Sequence, residues 1–308
     1  MRIAITGASG LVGSALAPHL ESRGHEVIRL QRAGRPGRGG KDAGAHTWSP
    51  ERGLEHPERL GTIDALVHLA GESVAGARWS PTVKARIRDS RVGPTRALAQ
   101  SLATLAQLPH VMVSASAIGY YGDRGNEPLT EQSPPGNGFL ADVCRDWERA
   151  TEPASAAGVR VATTRFGIIL DAHGGALGKM RLPFSLGLGG RLGSGEQIYS
   201  WVAIADVVGA LTHAVERDAL RGPVNVTAPH PVSNAEFTRT LGRVLHRPAV
   251  IPVPAFALRA AVGELADAEL LSSKRVLPAA LEAADYQFAH PQLEGALRAT
   301  LDDHRGAA

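Results

Sequence analysis

The chain has 308 residues, 44% hydrophobic and 20% charged, with a net charge of +3; it can bury a substantial core as one large or two coupled domains. So mild a charge argues against a general nucleic-acid binder, and no apolar run approaches the ~20 residues of a membrane span. Cys144 is the only cysteine, which excludes an intrachain disulfide and a cysteine-rich metal site.

Arg2-Ile3-Ala4-Ile5-Thr6 reads as a first strand and runs straight into Gly7-Ala8-Ser9-Gly10-Leu11-Val12-Gly13 and a helix. A strand starting at residue 2 leaves no room for a cleavable signal, so a cytoplasmic location is expected. The helix carries Val12, Leu16 and Leu20 on one stripe and ends near Gly24. Glu26 to Leu30 reads as the second strand, Ala45 to Trp48 as a short one, and Asp64 to Ala70 as a buried central strand ending in Gly71. Ser80-Pro81 marks the start of a helix with Val83 and Ile87, continuing through Leu98, Leu102 and Leu105 with a bend at Pro94. His110 to Ser114 is the next strand. A helix with Leu140, Val143, Cys144 and Trp147 follows, then the strand Val159 to Phe166. This β-α alternation predicts an α/β, Rossmann-like, doubly wound parallel sheet.

The second half changes character. Residues 171–200 are glycine-rich, whereas a helix from about Asp206 and a strand Pro223 to Thr227 are expected to rejoin the main sheet. Ser233 and Glu236 have capping-box spacing before Phe237, Leu241 and Leu245. Short helices should follow Pro248, Pro252 and Pro254. The predicted division is a dinucleotide-binding domain of 1–170 plus 206–228, and a smaller, mostly helical substrate lobe with the C-terminal tail, 171–205 plus 229–308.

The opening turn fits a dinucleotide phosphate cradle. Gly7 suits a tight turn, Gly10 lets backbone approach pyrophosphate, and Gly13 lets the helix pack on the strand. The helix start offers free N–H groups to phosphate, with Ser9, Leu11 and Val12 among the expected contacts. An NAD site places an acid near the end of the second strand, yet none occurs between Val27 and Lys41. Arg29, Arg32, Arg35, Arg38 and Lys41 stand there instead, and guanidinium suits a 2′-phosphate. NADP is therefore the expected cofactor, with Arg32 nearest the phosphate; the other reading is a solvated Arg/Gly loop with weak RNA affinity. Arg91 interrupts the Val83–Ile87 stripe and needs an anionic or carbonyl partner, either cofactor phosphate or a protein group. Arg86 lies on a neighbouring face.

The opening glycines, Asp64-Ala65-Leu66-Val67-His68-Leu69-Ala70-Gly71-Glu72 and Ser114-Ala115-Ser116-Ala117-Ile118-Gly119-Tyr120-Tyr121-Gly122 resemble the extended, epimerase/dehydratase-like class of the short-chain dehydrogenase/reductase superfamily. Arg78-Trp79, Ser90-Arg91-Val92, Gly189 to Gly195, Ser200-Trp201-Val202, Arg247-Pro248 and Arg275 to Pro278 are similar to an atypical NADP-dependent epimerase-like subgroup with an appended tail. The resemblance covers essentially the whole chain. It implies cofactor contacts from Leu69, Ala70, Gly71, Glu72, Arg86, Arg91 and Ser114, with Arg165 close to the nicotinamide side. It also implies a homodimer through helices flanking the sheet.

The superfamily's usual acid/base device is a tyrosine, a lysine four residues on, and a serine on the preceding strand. Ser116 suits the serine, just past the strand ending at Ser114. Phe139 and Val143 stand where tyrosine and lysine are expected, and neither exchanges a proton. Tyr120 and Tyr121 are the nearest substitutes, with Arg124 four residues after Tyr120 to favour phenolate. In the alternative, one tyrosine packs over the nicotinamide and the other supports the loop. Gly174 to Met180 resembles a nucleotide P-loop but has Met180 where a magnesium-binding Ser or Thr belongs. His68, inside an apolar strand, reads as a satisfied core residue. Two functions fit: an NADP(H)-dependent oxidoreductase or epimerase acting on a small polar, sugar- or nucleotide-linked substrate, or a non-catalytic NADP(H)-binding redox sensor.

Overall fold

A computed structural model describes residues 1–34 and 46–302; Arg35, Arg38 and Lys41 lie outside them. In chain order the first half is β1 (Arg2–Thr6), α1 (Leu11–Ser22), β2 (Glu26–Arg32), β3 (Thr47–Ser49), β4 (Gly53–Leu54), α2 (Pro57–Leu60), β5 (Ala65–His68), α3 (Pro81–Asp89), α4 (Val92–Ala103), β6 (Val111–Ala117), β7 (Pro128–Leu129), α5 (Phe139–Arg149), α6 (Glu152–Ala156) and β8 (Arg160–Phe166). The second half is β9 (Ile168–Leu170), α7 (Gly175–Ser185), β10 (Ile198–Tyr199), β11 (Trp201–Ala203), α8 (Ile204–Glu216), β12 (Gly222–Val226), β13 (Val232–Ser233), α9 (Asn234–Leu245), α10 (Ala255–Val262), β14 (Arg275–Val276), α11 (Ala279–Ala283) and α12 (Leu293–Asp302). A single 3-10 turn spans Ile118–Tyr121 and a π-turn spans Ala266–Leu270.

The main sheet has the order β12-β8-β6-β5-β1-β2-β3-β4. All its pairings are parallel except β3 with β4. The expected doubly wound sheet is therefore present, and β12 returns to it from beyond the glycine-rich segment. The order in which strands are added reverses at β1 and β5 while both run the same way, which makes the crevice at their carboxyl ends the place where such sheets take ligands. The central strands are covered on both faces, which explains their unbroken apolar runs. Ile3, Ile5, Val67, Val113, Leu16 and Leu211 share one core; Ala4, Leu66, Met112, Leu98 and Leu102 share the other. A third cluster, around Trp201, Phe237, Leu241 and Leu297, is built from residues of the second half. No described helix is long and apolar enough to cross a membrane.

Two local expectations are corrected. The apolar stripe from Val83 to Leu105 spans two helices, broken at Ser90–Arg91. Pro94 sits in the first turn of α4, where its missing N–H costs nothing. β6 runs on to Ala117, so Ser116 is inside the strand rather than beyond it. Within 171–200 the glycines do not prevent a helix: α7 forms because Leu177 and Phe184 are buried against the lobe core.

His68 is the polar centre of the fold. Its ring is wholly buried, with Nδ1 2.6 Å from Thr6 Oγ1 and Nε2 2.9 Å from Thr95 Oγ1. Trp147 Nε1 donates to the same Thr95 hydroxyl at 2.9 Å. β1, β5, α4 and α5 are thus tied through one neutral imidazole. Burial pushes its pKa down to about 4. Because the unfolded chain takes up this proton near pH 6.5 and the folded chain only near pH 4, stability is lost as pH falls through that window. The loss reaches about 3 kcal/mol. Denaturant unfolding of the His68→Gln variant should show a flatter pH dependence between those values; an unchanged slope would refute the assignment.

Candidate active site

The phosphate cradle is built from the first crossover. Gly7 has φ +70°, and a Cβ there would lie 2.8 Å from the Leu69 carbonyl carbon and 2.9 Å from the Ala70 nitrogen. A Cβ at Gly13 would lie 2.3 Å from the Gly7 carbonyl oxygen, so only glycine lets α1 seat against β1. Gly10 is the N-cap of α1 and makes no side-chain cap, leaving the first-turn N–H groups of the helix without one. Leu11 Cδ1 reaches the lobe at Gly174, at 2.7 Å from where its Cβ would be. Gly174, at the start of α7, therefore lies against the first residue of α1.

Arg32 ends β2 with an exposed side chain and no ion pair to a described residue. Arg29, by contrast, is paired with Glu21 at 2.6 Å. Glu72 is exposed and sits 3.3 Å from Arg86 Nη2. Arg91 lies at the helix break, where Nη1 donates to the Ile87 carbonyl (2.9 Å) and Nη2 to the Glu72 carbonyl (2.8 Å). Its guanidinium packs beside Gly71 and 5.1 Å from the Trp147 ring centroid. Burial lowers its pKa. Carbonyl oxygens and the Ser90 hydroxyl, rather than a carboxylate, take the hydrogen bonds of this arginine. Gly71, Glu72, Arg86 and Arg91 are thus brought together beside Leu69 and Ala70, at the end of β5 that faces Gly7.

A polar row crosses three strands near their carboxyl ends. Register places Ser116 beside Arg165 and Arg165 beside Asn225, so the three side chains share one face of the sheet. α5 lies over that face and supplies Glu148. Its carboxylate accepts Arg165 Nε and Nη2 at 2.7 Å each and Ser116 Oγ at 2.7 Å. The Arg165 side chain is 3% exposed. Burial acts to lower its pKa, but the hydrogen bonds and charge of Glu148 outweigh this and hold it above the ordinary value.

Both tyrosines touch that guanidinium, in different ways. Tyr121 is wholly buried; its hydroxyl accepts Arg165 Nη1 at 2.8 Å and lies 2.7 Å from Asn225 Oδ1 and 3.0 Å from the Thr130 carbonyl oxygen. Burial pushes its pKa up to about 12. A phenol so enclosed supports the loop. Tyr120 is half-buried, and the Arg165 guanidinium carbon stacks 3.5 Å from its ring centroid. Its hydroxyl makes no hydrogen bond to a described residue. Arg124 does not face Tyr120: its Nε and Nη2 bind Glu127 at 2.8 and 2.6 Å. Phe139 packs edge-on against Trp79, ring centroids 5.1 Å apart, and Val143 is buried. Ser114 is buried in β6, beside His68 in register.

The tail completes the cleft. Ser273 Oγ donates to the Gly125 carbonyl at 2.6 Å, its amide donates to Asp123, and its carbonyl accepts the Arg124 amide. This clasp fixes the loop that carries Tyr120 and Tyr121. Buried Lys274 donates to the Ala268 carbonyl and Ser272 Oγ, with Glu269 at 3.8 Å on the π-turn. No cluster suited to a metal occurs among the described residues.

Residues 3–166 match the NAD dependent epimerase/dehydratase family, and residues 253–300 match a domain of unknown function. An epimerase family protein of Mycobacterium bovis is 44% identical over 295 residues, 96% of each chain. The chain belongs to the NAD dependent epimerase/dehydratase family. The crystal structure of human epimerase family protein SDR39U1 with NADPH is similar at a TM-score of 0.88, with 34% identity over 98% of this chain and 100% of that one. A nucleoside-diphosphate sugar epimerase from Corynebacterium glutamicum is 39% identical at a TM-score of 0.78, covering 98% of this chain and 58% of that chain.

Glu148, Asn225 and Ser273 are not singled out by sequence reading of this family member. Asn225 had a signal, a polar residue inside Val224-Asn225-Val226. Glu148 lies on the same helix as Phe139, one residue past the buried Trp147, and only strand register reveals its partners. Removing Glu148 leaves a buried, unpaired arginine, which costs about 3–5 kcal/mol. Urea unfolding should show Glu148→Ala losing that much, and Glu148→Ala with Arg165→Met losing clearly less than the sum of the single changes. Additive losses would contradict the coupling.

Proposed function

We propose that the chain binds NADP(H) across the β1–β5 switch point and transfers hydride to or from a small polar substrate, as an oxidoreductase or epimerase. The glycine cradle at Gly7, Gly10 and Gly13 supports dinucleotide binding, as does the NADPH in the human relative. Arg32, unpaired with any described acid at the end of β2, supports a 2′-phosphate over a free ribose hydroxyl. Ser9, Leu11 and Val12 would present backbone to the pyrophosphate, with Leu69, Ala70, Gly71, Glu72, Arg86, Arg91 and Ser114 along the rest of the cofactor. The name of the Corynebacterium relative supports a sugar- or nucleotide-linked substrate.

NADP supplies the hydride acceptor or donor; the protein must hold the reacting oxygen and its proton. Tyr120 is the proton-exchanging residue in this reading, and the observation that carries it is its free hydroxyl on a ring stacked against Arg165. Ser116 donates its hydroxyl hydrogen bond to Glu148, so its oxygen lone pairs are left to accept a hydrogen bond from a substrate hydroxyl. Tyr121 positions the loop, and Arg165 neutralises Glu148 while fixing Tyr120. Phe139 and Val143 favour a second reading, a redox sensor that binds NADP(H) without turnover.

Nicotinamide fluorescence and absorbance with a carbonyl and sugar-nucleotide library separate the two. Turnover should appear, and Tyr120→Phe should lower kcat by about 10²–10⁴ while leaving NADPH affinity unchanged. Tight NADPH binding with no turnover of any compound would favour the sensor. Arg32→Asp should weaken NADPH about 10–100-fold and NADH little; equal losses for both cofactors would defeat the 2′-phosphate assignment.

A further inference from the structure

Eight large hydrophobic side chains are exposed among the described residues, and six of them belong to one region of the lobe. Leu182 lies on α7, Leu186 and Leu188 just beyond it, Val250 and Ile251 before α10, and Phe256 on α10. They are 45–78% exposed. The segments are joined: the Ile251 amide donates to the Gly189 carbonyl at 3.1 Å, and Pro248 packs against Gly187. Monomeric proteins rarely leave so many large apolar groups together in water.

Within the segments that form this patch the charge has one sign. Residues 172–195 and 237–263 contain no aspartate or glutamate, yet carry Lys179, Arg181, Arg191, Arg239, Arg243, Arg247 and Arg259. Arg247 Nε donates to the carbonyl of Ser185, between Leu182 and Leu186, which seats a cation inside the apolar surface. Val250 lines a shallow concavity of about 810 Å³ together with Arg239, Arg243, Arg247 and Arg298. One carboxylate answers these charges there, Glu294, which pairs with Arg243 and Arg298; Arg259 pairs with Asp267 on the π-turn.

We propose that this face docks the protein on an anionic lipid surface as a peripheral contact. Apolar side chains that project into water beside a basic collar match an acyl-headgroup boundary with negative surface charge. A second copy of the chain is a poor occupant, because a two-fold contact would set one arginine collar against another. Leu182, Leu186 and Phe256 project into water and do not line that concavity, which is not how the walls of a peptide groove are built.

The test is co-sedimentation of the full chain with vesicles of phosphatidylcholine alone and of three parts phosphatidylcholine to one part phosphatidylglycerol. Binding is expected only to the anionic vesicles, weakening as salt rises from about 0.1 M to about 0.5 M. Leu186→Ser and Phe256→Ser should each reduce it about tenfold, and Arg247→Gln about fivefold. All three positions are on the surface, and retained NADPH binding with an unchanged circular dichroism spectrum would show that the variants fold. Failure to sediment with anionic vesicles at low salt overturns the proposal, as does wild-type sedimentation of both serine variants. Loss of a dimer on Leu186→Ser in analytical ultracentrifugation, without lipid binding by the parent protein, would assign the face to a second copy instead.

Discussion

A guanidinium buried as deeply as Arg165 must be neutralised where it stands, and the centre of this protein is arranged around that requirement. Glu148 supplies the charge from α5, and in doing so fixes the helix over β6 and β8. The same carboxylate accepts a hydrogen bond from the Ser116 hydroxyl, while the remaining guanidinium nitrogen holds Tyr121. Tyr121 in turn reaches Asn225 on β12, and the face of Arg165 stacks on Tyr120. One ion pair therefore sets the relative positions of three strands, one helix and the loop at their carboxyl ends. Such pairs contribute little net stability, but they make alternative arrangements of the surrounding groups costly.

The appended tail acts on this centre from outside the sheet. β14 pairs with β7, Leu277 accepts from Asn225 Nδ2, and Ser273 clasps residues 123–125. Ser200 adds a buried hydroxyl that bonds the carbonyls of Lys274 and Val276. Asp206, wholly buried at the start of α8, accepts the amides of Ala289 and His290 and so anchors the chain leading into α12. The tail is thus part of the wall that gives the cleft its shape.

Local chemistry was legible in the sequence where it depends on near neighbours. The strand-turn-helix of residues 2–22 follows from glycine positions and a short apolar run, and Ser233 caps α9 through the Glu236 amide as the spacing implied. The break at Ser90–Arg91 was hidden because the apolar stripe continues across it. α7 was hidden by glycines whose helical cost is offset by burial of Leu177 and Phe184. The row of Ser116, Arg165 and Asn225 could not be read, since its members are 49 and 60 residues apart in sequence and meet only through strand register. Tyr120 and Tyr121, adjacent and identical in composition, differ only in tertiary surroundings.

Everything functional in this account rests on the first crossover holding a phosphorylated dinucleotide. Isothermal titration of the natively folded chain with NADPH tests this most directly. One molecule per chain should bind with micromolar or tighter affinity. No heat of binding at millimolar cofactor, with the circular dichroism spectrum of the folded protein intact, would contradict it.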